Sequence, residues 1–356
     1  MRLDFSSADK DIDAALAINP RLLTAYIMRM SMAMPDGNAA KYAEAFSRGR
    51  ELFPTSYLLY RQALGGAFPR WGGSYPKMEK IASDAYQHID QNPQLYMLFG
   101  LIYSAQAQDF RDAKDYDKAI ALCAKALAYG DNPDVFYERI RAEYAKKDYA
   151  GARKDAEYSS SLWPIRSEPY LYRAAVAFQT GDYESAKKDI LFVRQQLPLE
   201  NESWSGLSWA STEFMYGGHK VFEADPASAL ARYDLALEAN PRNADAYYWR
   251  GRVYLKLKQP ERARADFENA IKCDPHMFVA YHDLDNYVLM PQRKWDEILP
   301  LWNQFLLLEP RNADAHLERA GTYHYKGDSR SANEDLHQAC VLGSRRACDI
   351  ERRHPL

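Results

Sequence analysis

No stretch of this 356-residue chain comes near the roughly 18 to 20 uninterrupted apolar residues that a membrane-spanning helix needs. Charge of one sign is equally lacking. The 46 basic and 49 acidic residues are spread along the chain and leave a formal charge of −3. That balance argues against a nucleic-acid or anionic-membrane surface, where one sign should cluster. Cysteine is scarce: Cys123, Cys273, Cys340 and Cys348 show no C-x-x-C spacing and do not read as a disulfide framework, which suits a reducing compartment. The glycine doublets 65–66, 72–73 and 217–218 are not followed by Lys-Ser/Thr, so there is no phosphate loop. The eight histidines are scattered. His316 and His324 enclose no metal-binding signature and read as solvated or stacked helix residues. Cys340, Cys348 and His354 lack a fourth ligand for a metal. Cys340 is expected to end the last repeat helix, with Ser344 capping a short closing helix. Asp90, Glu202 and Glu213 show no spacing that marks a working carboxylate pair. We therefore expect no enzyme, no metal and no cofactor.

What is present is aromatic and periodic. Hydrophobic residues make up 47% of the chain, which excludes disorder, and 26 Tyr with seven Trp exceed the needs of a plain core. Two segments align at an offset of 69: "NPRNADAYYWRGRVYLKLKQPERARADFENAIKCDP" from Asn240 and "EPRNADAHLERAGTYHYKGDSRSANEDLHQACVLGS" from Glu309. Half that offset recurs in the prolines. Pro20 to Pro54, Pro164 to Pro198 and Pro241 to Pro275 are each separated by 34. Gaps of 39 (Pro54 to Pro93) and 43 (Pro198 to Pro241) mark insertions. Within a unit, Tyr247, Gly251 and Tyr254 share one helix face. A turn at Lys258-Gln259-Pro260 follows, then the stripe Ala263, Phe267, Ala270 and Ile271, and Pro275 ends the helix. Such hairpins cannot bury their apolar faces alone and must stack on neighbours.

The pattern aromatic, small, aromatic on the first helix, then Ala, large, Ala and Pro on the second, resembles the tetratricopeptide repeat (TPR) family. It is clearest in the units beginning near Pro93, Ser167, Ala244 and Ala313. The resemblance implies an all-α, right-handed superhelix of about eight hairpins with a C-terminal capping helix and a concave inner wall. The segment "ADKDIDAALAINP" reads as the second half of a repeat whose first helix is absent: either it serves as a bare cap or, as we expect, the natural protein has upstream residues that this chain lacks. A cytoplasmic location is expected, or a periplasmic or secreted one if a signal has been removed. The motif P-R-W-G-G-S at residues 69–74 resembles a bacterial family of uncharacterised domains with TPR-like helices. It sets residues 1–110 apart from the array and cap at 111–356, as parts of one solenoid.

In TPR proteins the groove is lined by first-helix residues that follow the core positions. Mapped here, they are Tyr60, Met97, Leu101, Tyr137, Arg141, Tyr144, Leu171, Phe178, Trp209, Tyr248, Arg252, His282 and Asn286. An aromatic wall with cationic and amide groups suits a protein or peptide partner. It does not reproduce the Lys/Asn clamp that holds C-terminal carboxylates, which argues against a chaperone co-factor. The resemblance thus implies a non-enzymatic scaffold or adaptor, in a narrower version a toxin-immunity or secretion-system accessory protein. The rival is a small-molecule or glycan site in an aromatic pocket near Trp71 and Trp209. A purely structural alternative is an oligomerisation spacer. Two insertions stand out. "MYGGHKVFEADPAS" is expected to lengthen an inter-helix turn around Gly217, Gly218, His219 and Lys220. "GGAFPRWGGSYPKM" reads as a folded elbow, with Ser74 and Pro76 starting the next helix and Phe68 and Trp71 folding back onto the hairpins. Its alternative is a docking surface made of Arg70, Trp71 and Tyr75.

Overall fold

A computed structural model describes the backbone of residues 6–35, 37–196 and 201–353, and the side chains of 7–35, 37–195 and 205–353. Pro198, His354 and the side chain of Glu202 lie outside these. Among the described residues there is no strand. The chain divides into two compact units, Met1–Tyr172 and Arg173–Leu356.

Unit 1 contains α1 (Ser6–Ile18), α2 (Leu23–Ala33), α3 (Ala39–Leu52), α4 (Tyr57–Gly66), α5 (Tyr75–Tyr86), α6 (Met97–Asp112), α7 (Tyr116–Leu127), α8 (Pro133–Lys146) and α9 (Tyr149–Leu162). The boundary falls inside α10 (Glu168–Gln179). Unit 2 continues with α11 (Tyr183–Gln196), α12 (Asn201–Val221), α13 (Pro226–Ala239), α14 (Ala244–Lys256), α15 (Pro260–Cys273), α16 (Phe278–Leu284), α17 (Trp295–Leu308), α18 (Ala313–Lys326), α19 (Ser329–Val341) and α20 (Arg345–Arg353). The pairs α2/α3 through α18/α19 make nine hairpins among the described residues, and α20 closes the end. The extra hairpin is α12/α13, which the irregular proline spacing hid.

A local grammar starts and stops these helices. Asparagine caps several first helices: the side chains of Asn132, Asn243 and Asn312 accept from the backbone N–H groups of Asp134, Ala246 and Ala315. Aspartate does the same for second helices at Asp115, Asp148, Asp182, Asp225 and Asp328. Before most second helices, though not before Asp225, the residue ahead of the N-cap turns the chain in the left-handed region. It is glycine at Gly181 and Gly327, but lysine at Lys114, Lys147 and Lys258 and arginine at Arg293. A side chain there costs roughly 1 kcal/mol, which the surrounding hairpin must offset.

Within four hairpins, an arginine on the first helix grips an aspartate sixteen residues on with two parallel hydrogen bonds. The pairs are Arg139–Asp155, Arg173–Asp189, Arg250–Asp266 and Arg319–Asp335. All four aspartates are buried. A buried carboxylate needs such a forked partner, and the geometry pins the register of the two helices. Arg250 and Arg319 also reach back sixteen residues, to Asp234 and Asn303, at 2.7 Å each. Arg29 of α2 reaches Asp13 of α1 in the same way. Relative to α2, therefore, α1 takes the place of a second helix.

Two expectations fail here. The stretch around Gly217-Gly218 is no lengthened turn, because α12 runs unbroken through it for 21 residues. His219 and Lys220 are thus helix residues, His219 half-buried against Tyr233 and Trp249. The cysteines do form a disulfide, Cys340–Cys348. The turn after α19 folds α20 back, with Ser344 capping it through Ala347 N–H, and sets the two Cα atoms 4.7 Å apart. Spacing in sequence does not reveal that closeness, whereas the reversal of the chain does.

Candidate functional site

Four residues expected on the wall of unit 2 meet in one cluster. Tyr248 and Arg252 lie one turn apart on α14, His282 lies on α16, and Asn286 lies in the π-helical segment Asp285–Leu289 that prolongs it. Their centre is Asp283, which is buried. Tyr248 Oη donates to Asp283 Oδ2 at 3.1 Å, and Arg252 Nη1 donates to Tyr248 Oη at 3.0 Å while standing 3.2 Å from the same carboxylate oxygen. His282 Nδ1 lies 3.0 Å from Asp283 Oδ1. From α18, Glu318 accepts from Asn286 Nδ2 at 3.3 Å. The side chains of Arg252 and His282 stay 36% and 35% exposed. The cluster thus offers a guanidinium and an imidazole to solvent on a base held by buried Asp283 and half-buried Glu318. Behind it, Asp285 accepts from Trp302 Nε1 at 2.6 Å, and its burial pushes its pKa up to about 6. Two residues apart, Asp283 and Asp285 fall on opposite sides of the helix, and the π segment begins at Asp285; such segments recur at functional sites.

Unit 1 carries a related arrangement. Arg141 lies one turn after Tyr137 on α8, its guanidinium 5.3 Å from the ring centroid, as Arg252 lies 5.9 Å from the Tyr248 ring. Buried Glu138 takes Arg141 Nη1 at 3.1 Å and Arg111 Nε at 3.0 Å. The Tyr137 and Tyr144 rings meet Tyr172 edge to face at 5.8 and 5.7 Å. Nearby Asp134 is gripped by Arg61 and Arg166 at 2.6 and 3.0 Å, which outweigh its burial and hold its carboxyl below the ordinary range.

Tyr248 itself is buried, at 7% exposure, and other wall candidates do not reach a surface either. Tyr60, Leu101, Leu171 and Phe178 are 9% exposed or less and fill the joints between helices. The mapping took repeat position alone as its guide, yet apolar side chains at wall positions are drawn into the joints: Leu101 follows Gly100 as Arg252 follows Gly251, but only the arginine reaches solvent. Met97 is half-buried against Gly130, and Trp209 is half-buried on α12. The carboxylates Glu138, Asp283 and Glu318, which organise both clusters, were not singled out from sequence. The spacing Tyr-x-x-x-Arg, shared by Tyr137/Arg141 and Tyr248/Arg252, is the signal that could have led to them.

The P-R-W-G-G-S segment forms a 3-10 turn, Pro69–Trp71. Phe68 packs on the core as expected, but Trp71 is 63% exposed and anchors nothing. The turn directs residue 71 outward, and Gly73 N–H closes the loop on Phe68 O at 3.1 Å. Ser74 caps α5 with Pro76 in its first turn. Arg70 donates to Gln108 at 3.0 Å and stacks on Phe68 and Trp71, while Tyr75 Oη donates to Asp109. Trp71 stands at the rim of a groove of about 800 Å³ formed by α2, α3, α4 and α5.

Hairpins with capped, register-locked helices and a polar-aromatic row on their first helices define a helical-repeat protein. Residues 104–161, in unit 1, and 221–277, in unit 2, match the tetratricopeptide repeat family model. It is similar to the small glutamine-rich tetratricopeptide repeat-containing protein 2 of Saccharomyces cerevisiae, 30% identical over 128 residues, 36% of this chain and 34% of that one. It is also similar to the Hsp70-Hsp90 organizing protein of Triticum aestivum, 24% identical over 211 residues, 59% of this chain and 28% of that one. The chain thus spans about a third or less of the length of these curated relatives. Among solved structures, the C-terminal part of a TPR repeat-containing protein from Cytophaga hutchinsonii is 17% identical, with a TM-score of 0.40 over 68% of this chain and 97% of that one.

Proposed function

We propose that this chain is a non-enzymatic scaffold that holds a segment of a partner protein against the first-helix rows of its repeats. The Arg252–Tyr248–Asp283–His282–Asn286 cluster is the observation that carries this reading. Its cation and imidazole are exposed, yet their inner ends are fixed. A partner's carboxylates and backbone carbonyls therefore meet donors that lose little freedom on binding. The likeness to a tetratricopeptide repeat-containing protein and to one named as an Hsp70-Hsp90 organizing protein supports the same class. A narrower role, neutralising a toxin or serving a secretion machine, is a further proposal supported by how often repeat arrays act in that way.

The test is affinity capture from the source cells with the wild-type chain and with an Arg252→Ala/Asn286→Ala variant of unchanged circular dichroism. A specific partner should be retained by the former and lost at least about tenfold by the latter, as for residues at an interface centre. Equal retention by both would remove the cluster from the binding surface. The identity of the captured protein decides the narrower role.

A further inference from the structure

The groove beside Trp71 belongs to neither first-helix cluster and has its own chemistry. It is lined by buried Ala33, Ala63 and Ile81 and by the half-buried rings of Tyr42 and Phe46. Its depth is set by Gly66, where even a methyl group would strike Tyr42 Oη. Tyr42 in turn donates to Gln62 O at 2.8 Å, so the wall is rigid. Along one rim stand Arg50, Lys77 and Lys80, with Lys77 and Lys80 one helical turn apart on α5. Among the described lining residues the only carboxylate is Asp84, and Arg50 already holds it at 3.3 Å. Neither lysine is ion-paired with another described residue. A net-acidic protein has here a locally cationic edge over an apolar floor, with an exposed indole at the end.

We infer that this groove is a second docking site, for an acidic polypeptide segment that carries a bulky apolar anchor. The anchor side chain would sit between Phe46, Tyr42 and Trp71, where its burial supplies most of the affinity. Carboxylates flanking it would lie along Lys77 and Lys80, which choose the partner and speed its arrival. A volume of about 800 Å³ suits a few residues of chain and exceeds the needs of a single ion. A nucleic-acid strand is the poorer fit. Its phosphates need a long cationic track, and here three cations border an apolar cleft that also holds a carboxylate.

The site is tested by selecting phage-displayed random peptides of about twelve residues on the full-length chain. The peptides recovered should combine Asp or Glu with Phe, Trp or Leu. Synthetic versions should lose at least about tenfold in affinity when the apolar anchor becomes Ala or when Lys replaces the acids. Trp71→Ala and Lys77→Glu/Lys80→Glu, all at exposed positions, should abolish that binding with unchanged thermal melting, and Arg252→Ala should leave it intact. Recovery of basic or purely polar peptides would overturn the inference, as would equal binding to the Trp71→Ala chain. Tighter, Trp71-dependent binding of an oligothymidylate strand would overturn it too and mark a polyanion site.

Discussion

Gly72-Gly73 in unit 1 and Gly217-Gly218 in unit 2 are both glycine doublets that interrupt the repeat period, and both look like turns in the sequence. The first becomes a turn: Gly72 has φ of +81° in the left-handed region, and a Cβ on Gly73 would lie 2.0 Å from the carbonyl oxygen of Ala67. There glycine answers a demand of the backbone. The second disappears into α12. Neither Gly217 nor Gly218 needs positive φ, but a Cβ on them would lie 2.3 Å from the Phe178 ring and 2.7 Å from the Tyr233 ring. There glycine lets buried aromatic rings come up against the helix. The lesson is that a glycine doublet reports a close approach, and only the identity of the approaching group distinguishes a turn from a helix packed tightly on a ring.

This contrast can be broken by substitution. The largest effect is expected for Gly73→Ala. A backbone oxygen cannot step aside without opening the loop, so about 3 kcal/mol or more should be lost, read as a lower urea midpoint. A wild-type midpoint would mean that the elbow does not depend on that contact. Gly217→Ala should cost less, about 1 to 2 kcal/mol. Crowding of the Phe178 ring is partly offset by the better helix propensity of alanine. Adding Phe178→Leu should then reveal a favourable coupling of about 1 kcal/mol in a double-mutant cycle; additivity would show that the ring does not set the need for glycine. Trp71→Ala should have the smallest effect, within about 0.5 kcal/mol, because the ring is mostly in solvent. A larger loss would return Trp71 to the role of an anchor.

Much of the fold was legible in the residues. The 34-residue spacing, the Arg-Asn-Ala-Asp-Ala recurrence and the alternation of apolar stripes imply helical hairpins. Ser74 and Ser344 were readable as caps because capping is local, a side chain reaching a backbone N–H three residues on. The candidate wall was legible in part. Tyr137, Arg141 and Tyr144 converge in unit 1, and Tyr248, Arg252, His282 and Asn286 in unit 2. Tyr60 and Phe178, read with the same rule, are buried. Position in the repeat does not by itself decide exposure: Leu101 and Arg252 both follow the small residue of their first helix, but the leucine fills a joint while the guanidinium reaches solvent, and Tyr248 is buried at 7%.

By itself, then, the sequence determined what depends on neighbours a few residues away: helix starts and stops, the stripes that must be buried, and the repeat that forces hairpins to stack. Tertiary structure alone decided which groups from distant turns meet. It joined Cys340 to Cys348 across a chain reversal. It carried α12 straight through two glycines because Phe178 and Tyr233 fill the space above them. It brought Asp283 between Tyr248 and Arg252, and it left the Trp71 ring exposed at the rim of a groove. Each of these depends on how the chain folds back or packs, which periodicity does not encode.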